Sequence, residues 1–320
     1  MIHDLLWISG GFVLLYFGAE GLVRGSSSLA MRLKISPLVI GLTVVAYGTS
    51  MPEMVVSLKA ALAGQGGLSI GNVVGSNIFN IAVILGFSAL ISPLKVKLQV
   101  IRIDAPIALF VALLFWVFFH DGVLDRWEGG FFLLTTVMYT VGNLYFSRRA
   151  GKRAEAEFAD TFGVAPCPSL WIETALILLG LAALVFGGNG LVNGSVGLAR
   201  RIGVSEAVIG LTIVSAGTSL PELATSLVAA FKKEADIAVG NVIGSNIFNI
   251  VAILGTASLV SPIVGTDIRT LDIGMMIGLS LLIVPMMRTR FRISRAEGVV
   301  LIAAYVGYLF LRIMPKGAIF

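Results

Sequence analysis

Two glutamates lie in stretches that are otherwise apolar for the length of a membrane-spanning helix. Glu53 and Glu222 each follow the sequence Gly-Thr-Ser-x-Pro. A carboxylate at membrane depth is costly, so its presence indicates a functional site, although a structural bond between helices is the alternative. Carboxylate, hydroxyl and carbonyl oxygens together suit hard cations, whereas soft metals prefer Cys or His. The pattern predicts an all-oxygen site for Ca²⁺, or for several Na⁺ that share the two charges.

Each glutamate is preceded by a helix breaker. Pro52 and Pro221 have no backbone N–H and leave a carbonyl unpaired one turn earlier, while Gly48 and Gly217 loosen the same turn. We therefore expect one broken turn in each copy, with carbonyl, hydroxyl and carboxylate oxygens exposed together. The hydroxyl residues of these turns are Thr49, Ser50, Thr218 and Ser219.

A second motif, GN-x-x-GSN-x-x-N, follows each broken turn. In the first copy Asn72, Ser76 and Asn80 are spaced four residues apart and so share one helix face. The two glycines of the motif form a small-xxx-small pair, which favours close helix packing over a role in ligation. For Ser76, Asn80 and their counterparts Ser245 and Asn249, we expect ligation or hydrogen bonding at the site.

Both motifs belong to an internal repeat. Residues 41–86 match residues 210–255 at 26 of 46 positions without a gap, at an offset of 169 residues. Weaker matches extend over five apolar segments in each half, which predicts a first repeat over 1–150, a linker over 151–168 and a second repeat over 169–320. Because five is odd, the second half should be inverted in the membrane, as in many secondary transporters.

The composition indicates an integral membrane protein. Of 320 residues 57% are hydrophobic and 13% are charged, about half the charged share of a soluble domain, and the mean hydropathy is +0.96. We predict an all-α polytopic fold with ten transmembrane helices, because unpaired backbone is not tolerated in lipid. The predicted segments are approximately 5–29, 37–62, 67–91, 104–119, 128–147, 170–198, 206–231, 236–260, 271–287 and 296–313.

The distribution of charge predicts the orientation. Fifteen Lys and Arg residues lie in the loops after segments 1, 3, 5, 7 and 9, and six lie on the other side. The positive-inside rule then places both termini outside. The net charge of +5 comes from these short loops, so it indicates topology rather than binding of nucleic acid. The single cysteine, Cys167, excludes an internal disulfide bond.

The paired motifs resemble the α-repeats of the sodium/calcium exchanger family within the cation/Ca²⁺ antiporters. The resemblance covers the whole chain, in the compact ten-helix prokaryotic form. It implies a Ca²⁺ site made by the carboxylates of Glu53 and Glu222 with the carbonyls of Thr49 and Thr218. It implies sodium sites that add to these ligands the Ala46 carbonyl, Ser50 and Ser245 on one side, and the Ser215 carbonyl, Ser219 and Ser76 on the other. Asn80 and Asn249 would close the middle of the site.

The resemblance also implies a mechanism and a location. Segments 1 and 6 would slide as a pair in a prokaryotic plasma or inner membrane, with Ca²⁺ and Na⁺ as substrates and the lipid bilayer as surroundings. No cofactor and no obligate protein partner is implied. Some relatives have Asp where this chain has Asn249, and that Asp is associated with potassium co-transport, so Asn249 favours a potassium-independent exchanger. Glu20 and Arg24 in segment 1 are expected to form a structural i,i+4 pair.

Three functions besides Na⁺/Ca²⁺ exchange could use parts of this pattern. An H⁺/Ca²⁺ antiporter could use the same glutamates as proton carriers, but proton binding does not need so many neutral oxygen ligands. A cation channel could share the lining but would not depend on a counter-ion. An intramembrane hydrolase would need a nucleophile or a metal-activating histidine beside the glutamates. The pattern offers neither, so no enzyme activity is predicted.

Overall fold

The computed structural model describes residues 2–149, 167–202, 215–265 and 268–313, and these are almost entirely helical. The helices overlap all ten predicted segments, while the linker predicted over 151–168 lies outside the described residues apart from its last two positions. The helices are α1 Ile2–Leu33, α2 Pro37–Thr49, α3 Met51–Leu62, α4 Gly66–Ile91, α5 Val100–Asp121, α6 Arg126–Arg149, α7 Leu170–Arg201, α8 Ser215–Gly217, α9 Leu220–Phe231, α10 Ala235–Val260, α11 Thr270–Arg288 and α12 Arg295–Ile313.

The helical membrane class is confirmed. Six helices in the described part of the chain are long and apolar enough to cross a membrane, and α2 with α3 makes a seventh if the bent pair is one span. The ten crossings therefore stay a prediction. The helices are also less regular than expected, because π-helical turns interrupt four of those in the described ranges. These turns are Gly41–Val45 in α2, Asn80–Leu85 in α4, Val100–Asp104 in α5 and Asn249–Leu254 in α10.

The two helices that carry the GN-x-x-GSN-x-x-N motif lie at the centre of the protein. The apolar part of α10 is completely buried and that of α4 is 72% buried. A Cβ atom on Gly244 would lie 2.6 Å from the Leu42 carbonyl oxygen, and one on Gly240 would lie 2.9 Å from that of Leu38. Close packing is therefore confirmed for the glycines of the second copy. The segment equivalent to α2 in the second half falls mostly outside the described residues.

Helices α1 and α7 pack with their backbones in direct contact. A Cβ atom on Gly18 would lie 2.9 Å from the Gly180 carbonyl oxygen, and one on Gly187 would lie 2.9 Å from that of Gly11. We call this interface the α1–α7 seam. An ion pair lies at each end of it, one between Arg201 Nε and Asp4 Oδ2 and one between Arg32 Nε and Glu173 Oε2, each at 2.7 Å. Since the two pairs are related by the 169-residue offset, the ends of the seam are equivalent.

One side of α1 is also tied to the connection between α9 and α10. Glu20 Oε1 lies 3.2 Å from Lys232 Nζ, and Ser27 Oγ donates to the buried Glu234 carboxylate at 2.6 Å. The prediction that Glu20 pairs with Arg24 is therefore wrong. The sequence spacing placed the two residues on one helix face, but a lysine from a distant loop is the observed ion-pair partner.

Among the described residues, four two-residue strands join the two halves, which the prediction of helices alone missed. The strands are β1 Leu94–Lys95, β2 Val123–Leu124, β3 Ile263–Val264 and β4 Arg292–Ile293. They form two antiparallel pairs, β1 with β4 and β2 with β3. Leu94 pairs with Ile293 and Leu124 pairs with Ile263, so the two registers are the same under the 169-residue offset. Each strand pair connects one half of the chain to the other.

The substitution Gly180→Ala is expected to destabilise the protein by about 1–3 kcal/mol, because the added methyl group would overlap the α1 backbone. Its Cβ would lie 2.8 Å from the Gly18 carbonyl oxygen and from the Leu22 nitrogen. The measurement is the thermal unfolding midpoint in detergent. Gly10→Ala is the control, since a Cβ at that position on α1 meets nothing within 4 Å. Equal midpoints for the two variants would contradict a close α1–α7 seam.

Candidate cation site

Both glutamates lie in the first helical turn after a break. Helix α2 ends at Thr49 and α3 begins at Met51 after a bend of 47°, and α9 begins at Leu220 with Pro221 in its first turn. Glu53 and Glu222 are completely buried, with 0% and 1% of their surface exposed. Of the neighbouring hydroxyl residues, Ser50, Ser219 and Thr49 are buried and Thr218 is half-buried.

The two broken turns lie against each other and exchange hydrogen bonds. Ser50 Oγ donates to Glu222 Oε1 at 2.8 Å, and Ser219 Oγ donates to Glu53 Oε1 at 2.9 Å. Each carboxylate is therefore held by a serine from the opposite half of the chain. This arrangement brings two formal negative charges into one buried polar centre.

Two asparagines fix the backbone around the glutamates. Asn72 Nδ2 donates to the Glu53 carbonyl oxygen at 3.3 Å and to Ser57 Oγ at 2.9 Å, and Asn241 makes the equivalent bonds in the second half at the same lengths. The Thr218 hydroxyl donates to Asn72 Oδ1 at 3.4 Å. The sequence-based prediction gave these asparagines no role at the site. Their repetition at the same position in both motifs was the available signal.

The asparagines that end each motif are bonded across the interface of α4 and α10. Asn80 Nδ2 donates to Asn246 Oδ1 at 3.0 Å, and Asn249 Nδ2 donates to Asn77 Oδ1 at 2.9 Å. Asn77 and Asn246 also donate to each other's backbone carbonyls, at 3.1 and 3.2 Å. Asn80 and Asn249 each begin a π-helical turn, a feature that is common at functional sites. Asn77 and Asn246 had no predicted role.

Of the four remaining predicted site residues, three contact other predicted ligands, and the side chain of the fourth is not described. Ser76 and Ser219 form a hydrogen bond between their hydroxyl oxygens at 3.1 Å, in which Ser219 accepts because its own proton goes to Glu53, and Ser245 Oγ donates to the Ala46 carbonyl oxygen at 3.4 Å. Both contacts join residues that the resemblance placed on the same side of the site. Ser215 is the first residue of α8, and its side chain lies outside the described part of the structure.

Four buried oxygens in this centre have no hydrogen-bond partner among the described residues. They are Glu53 Oε2, Glu222 Oε2, Asn80 Oδ1 and Asn249 Oδ1. Buried polar atoms are nearly always paired, so four unpaired acceptors at the predicted ligand residues require an explanation. Within the described residues no group of three or more acidic, His or Cys side chains could hold a metal. A cation here would therefore be held by two carboxylates and by neutral oxygens.

The class of protein follows from this architecture and its centre. A multi-span helical membrane protein with buried polar ligands near the middle of broken helices is typical of membrane transporters. The chain belongs to the sodium/calcium exchanger protein family, whose model matches residues 3–145 and residues 172–314. The family therefore matches once in each half of the chain, and it is a family of transporters rather than enzymes.

Relatives that match most of the chain include proteins from bacteria and archaea. The chain is 35% identical over 333 residues to the sodium/calcium exchanger MaX1 of Methanosarcina acetivorans, covering 93% of this chain and 95% of that protein. It is 40% identical over 263 residues to the inner membrane protein YrbG of Escherichia coli, covering 79% and 78%. Among solved structures, the sodium-calcium exchanger NCX_Mj matches with a TM-score of 0.84 and 30% identity, covering 97% of this chain and 99% of that one.

Proposed function

We propose that the protein is a secondary antiporter that exchanges Ca²⁺ for Na⁺ at the buried centre between its two halves. The observation that carries this proposal is the set of four unpaired oxygens on Glu53, Glu222, Asn80 and Asn249. Two carboxylates and several neutral oxygens match the preference of hard cations for oxygen ligands. The names of MaX1 and NCX_Mj agree with this choice of ions.

In the proposed site, Ca²⁺ is bound by the carboxylates of Glu53 and Glu222 and by the carbonyls of Thr49 and Thr218. Sodium ions use the same two carboxylates and add two flanking sets of ligands, which are the Ala46 carbonyl with Ser50 and Ser245, and the Ser215 carbonyl with Ser219 and Ser76. The bonds from Ser50 and Ser219 to the glutamates place hydroxyl oxygens of both sets beside the carboxylates. The Ca²⁺ and Na⁺ sites therefore share ligands.

Sharing of ligands couples the two ions. Ca²⁺ and several Na⁺ compete for the same two charges, so the loaded site contains one or the other. The empty site has two bare carboxylates in apolar surroundings, which resists its passage between the two sides of the membrane. Helices α1 and α7 are the elements proposed to slide and open the site to each side in turn. Their shared backbone seam and paired end contacts favour movement as one unit.

The proposal includes a topology. Residues 1–150 and 169–320 form two inverted five-helix halves of a multi-pass protein in the prokaryotic plasma or inner membrane. Both termini lie outside, as the distribution of Lys and Arg predicts. The equal registers of the β1–β4 and β2–β3 pairs support a two-fold relation between the halves.

Uptake of ⁴⁵Ca²⁺ into proteoliposomes tests the function. Vesicles loaded with Na⁺ are expected to take up Ca²⁺ when diluted into Na⁺-free buffer, and matched vesicles loaded with K⁺ should not. Vesicles with only a pH gradient serve as a third arm. Uptake driven by the pH gradient alone would replace the proposal with H⁺/Ca²⁺ exchange. Uptake that ignores every gradient would indicate a channel.

A further inference from the structure

Pairing of β1 with β4 gathers basic residues from two distant loops. Lys95 is the Cα partner of Arg292 across this strand pair, although almost two hundred residues separate them in the sequence. An open groove of about 600 Å³ lies over the pair and is lined by Lys95, Val96, Arg290, Phe291 and Arg292. We refer to this cavity as the β1–β4 groove.

The three cations of the groove are available for a ligand. The side chains of Lys95, Arg290 and Arg292 are exposed and have no hydrogen-bond or ion-pair partner within the described residues. Other basic residues nearby are already in use, since Lys97 forms an ion pair with Asp236 and Arg295 donates to the last carbonyls of α4. The three groove cations are unpaired, unlike these two neighbours.

The fold itself does not require this charge. At the opposite pole of the protein, the β2–β3 pair repeats the same strand register. The positions equivalent to Lys95, Arg290 and Arg292 are occupied there by Val264, Asp121 and Val123. The same backbone arrangement thus occurs with three cations at one pole and with one acidic and two apolar residues at the other.

The groove also has an exposed aromatic residue in a strained backbone conformation. Phe291 has φ 51°, in the left-handed region, and its counterpart at the other pole is Gly122 with φ 81°. A side chain is unfavourable in this region, and such strain is concentrated at functional positions. Phe291 is 53% exposed and lies beside three cations at the end of a helix long and apolar enough to span a membrane. A phenyl ring that is exposed at the end of such a helix can pack against the boundary of lipid headgroups and acyl chains.

We propose that the β1–β4 groove binds the phosphate of an anionic membrane lipid, with the three cations on the headgroup and Phe291 against the lipid. Arginine suits this role because its planar guanidinium can donate two parallel hydrogen bonds to phosphate. The positive-inside rule explains why these residues are basic. It does not explain their convergence on one groove or the aromatic residue at a glycine position. The site is independent of the proposed ion exchange.

Native mass spectrometry of the purified protein tests this site without a transport assay. The full chain in detergent is mixed with equal amounts of phosphatidylglycerol and phosphatidylcholine, and the bound lipids are counted. We expect the wild type to retain phosphatidylglycerol preferentially, and the double substitution Arg290→Gln and Arg292→Gln to lower that preference at least roughly tenfold. Arg126→Gln at the opposite pole is the matched control and should keep the preference.

Additional variants separate the effects of charge, of the aromatic ring and of folding. Arg290→Lys with Arg292→Lys keeps the charge and should retain most of the preference, which covers the case in which the glutamine variant does not fold. Phe291→Gly removes the ring and the backbone strain at that position, and should weaken lipid retention without loss of thermal stability. An unchanged preference in the double glutamine variant, or an equal loss in Arg126→Gln, would overturn the proposal. Full displacement of the lipid by millimolar inorganic phosphate would assign the groove to free phosphate instead.

Discussion

Replacement of Glu53 or Glu222 by glutamine is expected to lower Na⁺-driven Ca²⁺ uptake at least about a hundredfold, more than the loss of a supporting residue around a metal. Glutamine keeps the size of the side chain and can still accept the hydrogen bond from Ser219 or Ser50. Only the charge and one potential ligand oxygen are lost. Because the remaining carboxylate cannot neutralise a divalent cation alone, Ca²⁺ should be affected more than Na⁺.

Two measurements together check this prediction. Uptake of ⁴⁵Ca²⁺ into Na⁺-loaded proteoliposomes gives the activity, and calorimetric titration in detergent gives the affinities for Ca²⁺ and Na⁺. Glu128→Gln is the control, since Glu128 is also almost completely buried but caps the start of α6 by accepting from the Asp125 N–H at 2.8 Å. It should leave transport unchanged. Substantial exchange in either glutamine variant of the centre would falsify the paired role of the two carboxylates.

The sequence predicts the principal residues of the centre because polar groups at membrane depth have few roles other than function. Glu53 and Glu222 are recognisable from one chain alone, since both occur next to Pro and Gly in two matching copies. The break between α2 and α3 follows from the same residues, because proline cannot continue the hydrogen bonds of a helix. These features depend on local chemistry, which a sequence records directly.

The sequence does not show in the same direct way which residues of different helices contact each other. Asn72, Ser76 and Asn80 share a helix face, but their spacing does not say which side chain of another helix each one meets. Asn80 bonds to Asn246 because α4 and α10 cross at these residues, and this depends on the packing of the whole bundle. The partner of Glu20 is Lys232 for the same reason. Two-residue strands such as β1 and β4 are too short to produce an alternating pattern.

The cross-bonded asparagines lead to the second large expected effect. Asn246→Ala removes the oxygen that accepts from Asn80 Nδ2 and the amide that donates to the Asn77 carbonyl. The side chain of Asn80 can then rotate, so its unpaired Oδ1 is no longer directed into the centre. We expect the KM values for Ca²⁺ and Na⁺ to rise roughly 10- to 100-fold, as when the partner that orients a metal ligand is lost. Asn77→Ala should act in the same way through Asn249.

Ion affinity and stability must be measured separately, because the same substitutions leave buried polar groups unpaired. That loss alone costs about 1–3 kcal/mol for each group and would lower the thermal midpoint of the ion-free protein. If Asn77 and Asn246 served only to hold α4 against α10, the folded fraction of each variant would transport with unchanged KM values. Asn189→Ala, which removes an exposed amide from α7, should change neither quantity. A raised KM for both ions, with the two variants alike, would show that the pair orients Asn80 and Asn249. Because this orientation serves both ions, the Ca²⁺ and Na⁺ affinities should fall together, unlike the charge-dependent loss expected for the glutamates.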